Sequence, residues 1–222
     1  MTAEQTQLAV PGFVLHARPF RENSRILELV TRTSGRLAVL ARGRAGSLRP
    51  FVLLDLVWRG RGELPSLTLG EERRVFPLTG RAMVCALYLN ELVLRLFPRD
   101  IDAGELVDVL ERAYQGLLGP ERPEHSLRAA EWSLLSLIDS GLEHVADALG
   151  DSDALYRYHP HDGLSEATAE SAPGSLSGTA LRALASGSRL PDNDLRAARD
   201  FMRRLIDEHL DGRELQTRRL LL

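Results

Sequence analysis

The chain has 222 residues, of which 44% are apolar and 27% are charged, and its formal net charge at pH 7 is −3. This composition is typical of a folded globular protein and excludes a chain that is disordered throughout. All 28 basic residues are arginine, which excludes sites that need a lysine, such as a P-loop phosphate site or a Schiff base.

Residues 11–76 consist of short apolar runs separated by turn-forming residues, which predicts closely spaced strands. The dipeptide Ser34-Gly35 lies between the runs 25–31 and 36–42, a pattern that is typical of a β-hairpin. Two more runs follow, at 51–59 and 63–69. About five strands in about 65 residues predict a small closed β-barrel.

The hydrophobic period changes after Gly80 from the spacing of a strand to that of a helix. The residues that share one helical face are Leu89, Leu92, Val93 and Leu96. The change predicts a domain boundary near residue 79, with a barrel domain over 1–79 and a helical domain over 80–222. The expected fold class is therefore α+β, with an N-terminal OB-type small β-barrel followed by an all-α helical domain.

Further helices are predicted at about 104–118 and 124–140 in the second domain. The interval 150–179 is rich in Gly, Ser, Asp and Pro, which predicts a long loop or a weak hairpin around Tyr156 and Tyr158. The last helix is expected to begin at residues 191–194 and to end at Gly212. Its predicted core stripe comprises Leu195, Ala198, Met202, Leu205, Ile206 and His209.

Positive charge is concentrated at the start of the chain. Residues 1–80 carry 12 Arg and 7 acidic residues, whereas residues 81–222 carry 16 Arg and 24 acidic residues, so the net charges are +5 and −8. Between Arg18 and Arg49 there are 8 Arg and only 2 acidic residues. A basic barrel of this kind indicates nucleic-acid binding, while a solvated arginine-rich surface is the alternative explanation.

Strand alternation predicts that Arg36 and Arg42 share a face, and a mobile arginine-rich loop is expected over residues 42–51. Aromatic side chains nearby are candidates to stack on unpaired bases. The predicted nucleic-acid-binding residues are Arg18, Arg36, Arg42, Arg44, Arg49, Phe20 and Phe51, and Trp58 is a further candidate for stacking.

Arg128 lies in the early turns of a mostly apolar helix. An arginine beside an apolar surface can receive the terminal carboxylate of a partner's tail, which makes Arg128 the predicted partner-binding residue. The alternative is an ion pair between Arg128 and Glu131 or Glu124.

Catalytic and metal-binding patterns are weak in this sequence. The segment His159-Pro-His161-Asp162 has no third protein ligand at a suitable spacing, so we expect no metal, no cofactor and no catalytic residue. A nuclease that uses His159 and Asp162 remains the enzymatic alternative.

The single cysteine, Cys85, has apolar neighbours, which predict a buried and unreactive thiol and exclude a disulfide or a cysteine-based zinc site. Residues 1–9 lack the basic and apolar parts of a signal peptide, and no apolar run approaches the roughly 20 residues that span a bilayer. We therefore expect a cytoplasmic protein with no membrane partner.

Several motifs of the sequence resemble the bacterial recombination mediator family RecO, and their similarity extends over most of the chain. The matching stretches are Gly12-Phe-Val-Leu-His-Ala-Arg-Pro-Phe-Arg-Glu-Asn-Ser24, Thr31-Arg-Thr-Ser-Gly35-Arg36, Ala41-Arg-Gly43, Leu48-Arg-Pro-Phe51, Gly60-Arg-Gly-Glu-Leu64, Leu87-Tyr-Leu-Asn-Glu-Leu92, Leu127-Arg-Ala-Ala-Glu131 and Leu195-Arg-Ala-Ala-Arg-Asp-Phe201.

The resemblance implies an OB-type barrel followed by a helical domain. It also implies a non-enzymatic DNA repair and recombination protein, associated with the nucleoid, that binds single- and double-stranded DNA and anneals complementary strands. The implied protein partners are the acidic C-terminal tail of single-strand-binding protein and RecR, with which RecO-like proteins load RecA onto coated DNA. No nucleotide cofactor is implied.

Two departures from the family pattern bear on these expectations. The four zinc-binding cysteines of many members are absent near residues 150–173, and the basic loop over residues 43–50 is shorter and lacks lysines. The alternative function is a protein-interaction adaptor whose helical domain binds partners with little direct contact to DNA, which the net charge of −8 beyond residue 80 favours.

Overall fold

Five strands form the N-terminal part of the computed structural model, which describes residues 8–60, 62–99, 101, 103–150, 153–168 and 174–221. They are β1 (Val10–Pro19), β2 (Ser24–Thr31), β3 (Gly35–Arg42), β4 (Val52–Arg59) and β5 (Ser66–Val75), with a 3₁₀ helix at Gly43–Ser47. The strands close into a barrel in the order β1-β2-β3-β5-β4, and β4 pairs with β1. This confirms the predicted OB-type barrel.

The hairpin between β2 and β3 holds one side of the barrel in register, from the pair Thr31 and Gly35 to the pair Ser24 and Arg42. Gly35 has a φ of 54°, and a Cβ at this position would lie 2.0 Å from the carbonyl oxygen of Ile101. A glycine is therefore required on both conformational and steric grounds. The interior of the barrel contains Val14, Leu27, Leu29, Leu37, Val39, Ala41, Val52, Leu54, Leu56 and Leu67.

Strand β1 departs from simple alternation, because Phe13, Val14 and Leu15 are all buried and a register shift lies between Val14 and His16. Val14 belongs to the barrel interior, whereas the ring of Phe13 lies 5.2 Å from that of Tyr114 outside it. Both faces of this part of the strand are covered, so the half-buried pattern assumed from the sequence does not hold there.

The helices are α1 (Gly80–Leu96), α2 (Glu105–Leu117), α3 (Pro123–Ser136), α4 (Val145–Ala148), α5 (Gly178–Ala185) and α6 (Leu195–Leu210), with 3₁₀ helices at Ser140–His144, Asp192–Asp194 and Gln216–Leu221. In the stripe predicted for α6, every residue except His209 is buried. His209 lies at the edge of the stripe, and its Nδ1 is 2.8 Å from the carbonyl oxygen of Leu205.

A small antiparallel sheet lies within the interval where we expected a long loop or a weak hairpin. It consists of β6 (Leu155–His159), β7 (Gly163–Glu166) and β8 (Leu176–Ser177), in the order β7-β6-β8. The Tyr158 hydroxyl donates a hydrogen bond to Asp139 over 2.8 Å, and the ring is buried. The helical region thus also contains strands, because burial of the tyrosines stabilises runs too short to give a clear sequence pattern.

The chain divides into two compact units. The first, the barrel unit, comprises Met1–Thr79 and Asn90–Leu118, and the second, the helical unit, comprises Gly80–Leu89 and Gly119–Leu222. Helix α2 and the second half of α1 thus group with the barrel in this division. Across the described residues, no helix is both long and apolar enough to cross a membrane.

Candidate functional site

Four of the predicted DNA-binding arginines are exposed on the barrel unit, and we call this set, Arg18, Arg42, Arg44 and Arg49, the barrel arginine surface. The strand register pairs Arg18 with Ile26 and Arg42 with Ser24, so Arg18 and Arg42 lie at the same end of the β1-β2-β3 sheet. Within the described part of the chain, the side chains of all four form no ion pair or hydrogen bond.

The 3₁₀ helix at Gly43–Ser47 carries Arg44 next to this end of the sheet. It is held to β2 because Nη1 of Arg25 donates to the carbonyl oxygen of Gly46 over 3.3 Å. The segment where we expected a mobile loop thus contains a short helix that is hydrogen-bonded to a strand. It presents Arg42 and Arg44 together to solvent as an open positive surface.

Arg36 does not belong to this surface, which corrects the prediction. Its side chain is 12% exposed and donates hydrogen bonds to the carbonyl oxygens of Leu94, over 2.8 Å, and Phe97 at the end of α1. Its Nη2 lies 3.6 Å from Glu28. Burial lowers the pKa of Arg36, and the charge of Glu28 opposes this effect. Arg36 thus caps the C-terminal end of α1, and burial keeps its side chain from the solvent that DNA would occupy.

The aromatic candidates lie in different surroundings. Phe20 follows β1, is only partly buried, and lies 5.2 Å from the guanidinium carbon of Arg21. Phe51 has a φ of 65° and its ring contacts that of Tyr114 at 5.4 Å, edge to face. Trp58 packs against the barrel core. Phe20 and Phe51 are both partly buried and stay predictions for base stacking, although Phe51 also contacts the fold through Tyr114.

Arg128 lies on α3 in the helical unit and is 4% exposed. Its Nη1 is 3.0 Å from Oε2 of Glu131, which is completely buried. Burial raises the pKa of the Glu131 carboxyl, and the charge of Arg128 opposes this effect. The ion pair considered as the alternative is thus present, and Nε of Arg128 has no hydrogen-bond partner within the described residues.

Arg128 also lines a cavity of about 250 Å³, which we call the first arginine pocket. Its apolar wall includes Tyr88, Leu127, Leu195 and Leu221. Its charged residues are Arg81, Arg122, Arg128, Arg196, Arg199, Arg203 and Arg218, with Glu124 and Glu131. Seven arginines against two glutamates make this pocket strongly positive although its unit is acidic overall. Such a site can bind a carboxylate and an apolar side chain together.

Sequence reasoning found only Arg128 of these arginines, because the others come from segments that are distant along the chain. One signal was present in the sequence: Arg196, Arg199 and Arg203 follow helical spacing on α6, on a different side from its core stripe. That spacing predicts a basic face, but not the cavity beside it.

The remaining polar candidates are His159 and Cys85. Nδ1 of His159 lies 3.9 Å from Glu208, and no group of His, Cys, Asp or Glu residues that could hold a metal ion occurs within the described residues. Cys85 is buried as predicted, and burial raises the pKa of its thiol to about 11. A thiol with this pKa is unreactive near neutral pH.

Comparisons with known proteins identify the family. The family models described as Recombination protein O N terminal and Recombination protein O C terminal match residues 5–76 and 77–219. DNA repair protein RecO of Pseudomonas aeruginosa (strain LESB58) is 39% identical over 218 residues, which cover 95% of this chain and 93% of that protein. The RecO proteins of Halorhodospira halophila and Nitrosococcus oceani are 36% and 35% identical, over 95% of this chain and 94% and 91% of their own lengths. The chain therefore belongs to the RecO family.

Proposed function

We propose that this protein is a DNA-binding recombination mediator of DNA repair. Its relatives carry the name DNA repair protein RecO, and its first unit contains an OB-type barrel, a fold whose surface commonly binds nucleic acid. In this proposal the protein binds single- and double-stranded DNA and anneals complementary strands. With RecR, it helps to load RecA onto DNA coated by single-strand-binding protein. The role requires no catalytic step.

We assign DNA binding to the barrel arginine surface and Phe20. The observation that carries this assignment is that Arg18, Arg42, Arg44 and Arg49 are exposed and that none has an internal partner among the described residues. Arginines in this state are available to neutralise phosphates and to release the counterions that surround the nucleic acid. An adjacent, partly exposed aromatic ring adds a surface on which an unpaired base can stack.

The test is the salt dependence of binding to labelled single-stranded DNA by the full chain. The slope of log K against log salt is negative, and each lost phosphate contact reduces its magnitude by about 0.7. Arg42→Ala with Arg44→Ala should therefore reduce the magnitude by about 1.4. The matched control is Arg73→Ala, which removes an exposed arginine of β5 that pairs with Asp55 over 3.6 Å. An unchanged slope in the double variant would remove these two residues from the interface.

We assign the partner tail to the first arginine pocket. A tail that ends in acidic and apolar residues, such as the tail of single-strand-binding protein, would place its carboxylate on the arginines and its apolar side chain beside Leu127 and Leu195. Arg196 is suited to a test that leaves the fold intact, because it lines the pocket, is exposed, and makes no ion pair within the described residues.

The corresponding experiment titrates the full chain with a peptide that ends in aspartates followed by apolar residues. Arg128→Ala and Arg196→Ala should both weaken binding. Arg189→Ala should not, because Arg189 lies outside the pocket and pairs with Glu121 over 2.7 Å. If all three variants bind as tightly as the wild type, the tail does not bind in this pocket.

The first arginine pocket also supports a second candidate function. In it, the chain is mainly an adaptor that binds protein partners and contacts DNA weakly. The two titrations separate these functions. The adaptor requires tight peptide binding together with weak DNA binding that the barrel substitutions leave unchanged, whereas the mediator requires both activities in one chain.

A further inference from the structure

The barrel arginine surface depends on a short segment, the 3₁₀ helix Gly43–Ser47, which we call the arginine turn. It carries Arg44 and directly follows Arg42, the last residue of β3. None of its residues is buried, and a 3₁₀ helix of this length has little stability of its own. Its position must therefore come from contacts with neighbouring parts of the barrel unit.

Positive charge opposes an ordered arginine turn. Arg42 and Arg44 are exposed, and Arg25 lies on the neighbouring strand β2, where it pairs with Ala41. None of these three arginines forms an ion pair among the described residues. Because like charges repel, the turn needs specific contacts to stay beside β2.

Arg25 supplies two such contacts. Its Nη1 donates a hydrogen bond to the carbonyl oxygen of Gly46 over 3.3 Å. Its Cγ and Cδ atoms both lie 3.9 Å from the position that a Cβ on Gly46 would occupy, so its aliphatic part lies against the arginine turn. The side chain is partly buried, unlike those of the barrel arginine surface. Arg25 therefore contacts the turn with both its guanidinium and its methylene groups.

Leu48 holds the turn from the other side. Its side chain and that of Ala45 pack against the barrel core. A Cβ at Gly70 on β5 would overlap Cδ1 of Leu48, so the absence of a side chain at position 70 makes room for this leucine. The arginine turn is thus fixed by a polar contact from β2 and by an apolar contact beside β5.

We propose that Arg25 is a positioning residue for DNA binding, because its hydrogen bond to Gly46 orders Arg42 and Arg44 before DNA binds. This inference rests on the proposed role of the barrel arginine surface in DNA binding. Order in the free protein reduces the conformational entropy that is lost on binding, which increases affinity without a further phosphate contact. Arg25 therefore contributes to the affinity for DNA but not to its salt slope.

The test compares wild type with Arg25→Met, which keeps an aliphatic side chain but removes the hydrogen-bond donor. Full-length chains are titrated with labelled single-stranded DNA at several salt concentrations. Arg25→Met should bind about fivefold more weakly at each concentration, with the slope of log K against log salt unchanged. If Arg25 contacts a phosphate itself, the magnitude of the slope will fall by about 0.7, and this result overturns the proposal.

A second variant, Gly70→Ala, disturbs the turn without removing any charge, because it forces Leu48 to move. It should also weaken DNA binding with an unchanged slope. In both variants, amide hydrogen exchange of residues 44–48 should be faster than in the wild type. The matched control is Arg73→Met, which removes an arginine that pairs with Asp55 over 3.6 Å and should change neither measurement. Wild-type affinity in both Arg25→Met and Gly70→Ala overturns the proposal.

A third comparison places Arg25→Met in a chain that already carries Arg42→Ala and Arg44→Ala. This chain lacks the arginines that Arg25 positions, so Arg25→Met should have little further effect on affinity. An equal fivefold loss in this background overturns the positioning role. If the Arg42→Ala, Arg44→Ala chain itself binds DNA like the wild type, the proposed DNA surface is refuted, and the positioning role with it.

Discussion

The barrel unit and the helical unit hold their arginines in different surroundings. On the barrel, Arg18, Arg42, Arg44 and Arg49 are exposed and lack internal partners within the described residues. In the helical unit, arginines line pockets beside apolar walls, and one of them, Arg128, pairs with the buried carboxylate of Glu131. An open arginine surface suits a long polyanion bound along its backbone, whereas an arginine-lined pocket suits the end of a single chain.

The comparison also shows that net charge over a long segment is a poor guide to local binding chemistry. Residues 81–222 have a net charge of −8, yet the first arginine pocket has seven arginines and two glutamates among its lining residues. Most acidic residues of the segment 81–222 lie outside this pocket. The contrast between the units is therefore one of surface shape rather than of sign. Substitutions can test it because a buried arginine such as Arg128 and an exposed one such as Arg18 should respond differently.

The largest effect is expected for Arg128→Ala, because this change removes the arginine that is paired with the completely buried Glu131. Breaking a buried ion pair in this way costs about 3–5 kcal/mol of unfolding free energy. Urea unfolding of the full chain measures it. Replacing both residues, as Arg128→Met with Glu131→Leu, should restore much of the loss, and a double variant as unstable as Arg128→Ala would contradict this explanation.

The loss caused by Arg128→Ala should also depend on pH. Burial raises the pKa of Glu131, and removing Arg128 removes the largest of the effects that oppose this rise. A carboxyl whose pKa is higher in the folded state binds its proton more tightly there, so stability falls as pH rises from the unfolded value of about 4.3 to the raised folded value. The stability difference between wild type and variant should thus be larger at pH 8 than at pH 5.

A second measurement isolates the carboxyl as the cause of this pH dependence. In the background Glu131→Gln, position 131 cannot ionise, so the effect of Arg128→Ala should be the same at pH 5 and pH 8. If the pH dependence persists in that background, another group is responsible for it.

Arg36→Ala should have an intermediate effect on stability. The substitution removes two hydrogen bonds to carbonyl oxygens at the end of α1, from Leu94 and Phe97, and leaves Glu28 with Arg99 alone. Hydrogen bonds that involve a charged group contribute about 1.5–3 kcal/mol, so we expect a loss of about 2 kcal/mol in chemical unfolding. The salt slope of DNA binding should not change. A slope of smaller magnitude would show that Arg36 contacts DNA.

Sequence patterns predicted what depends on neighbours along the chain. The Ser34-Gly35 hairpin and the core stripe of α6 are local, and both are present, apart from the partly exposed His209. The role of Arg36 was missed because the carbonyl groups that it caps lie 58 and 61 residues away. The first arginine pocket was missed for the same reason, since its walls come from α1, α3, α6 and the end of the chain.

The smallest effect on stability is expected for Arg18→Ala, which tests the open surface most directly. Arg18 is exposed and has no internal partner within the described residues, so its loss should change the unfolding free energy by less than about 0.5 kcal/mol. Loss of one phosphate contact should still reduce the magnitude of the salt slope for single-stranded DNA by about 0.7. Peptide binding should be unchanged, because Arg18 does not line the first arginine pocket. A variant that binds DNA with the wild-type slope would confine the interface to the β3 side of the barrel, around Arg42 and Arg44.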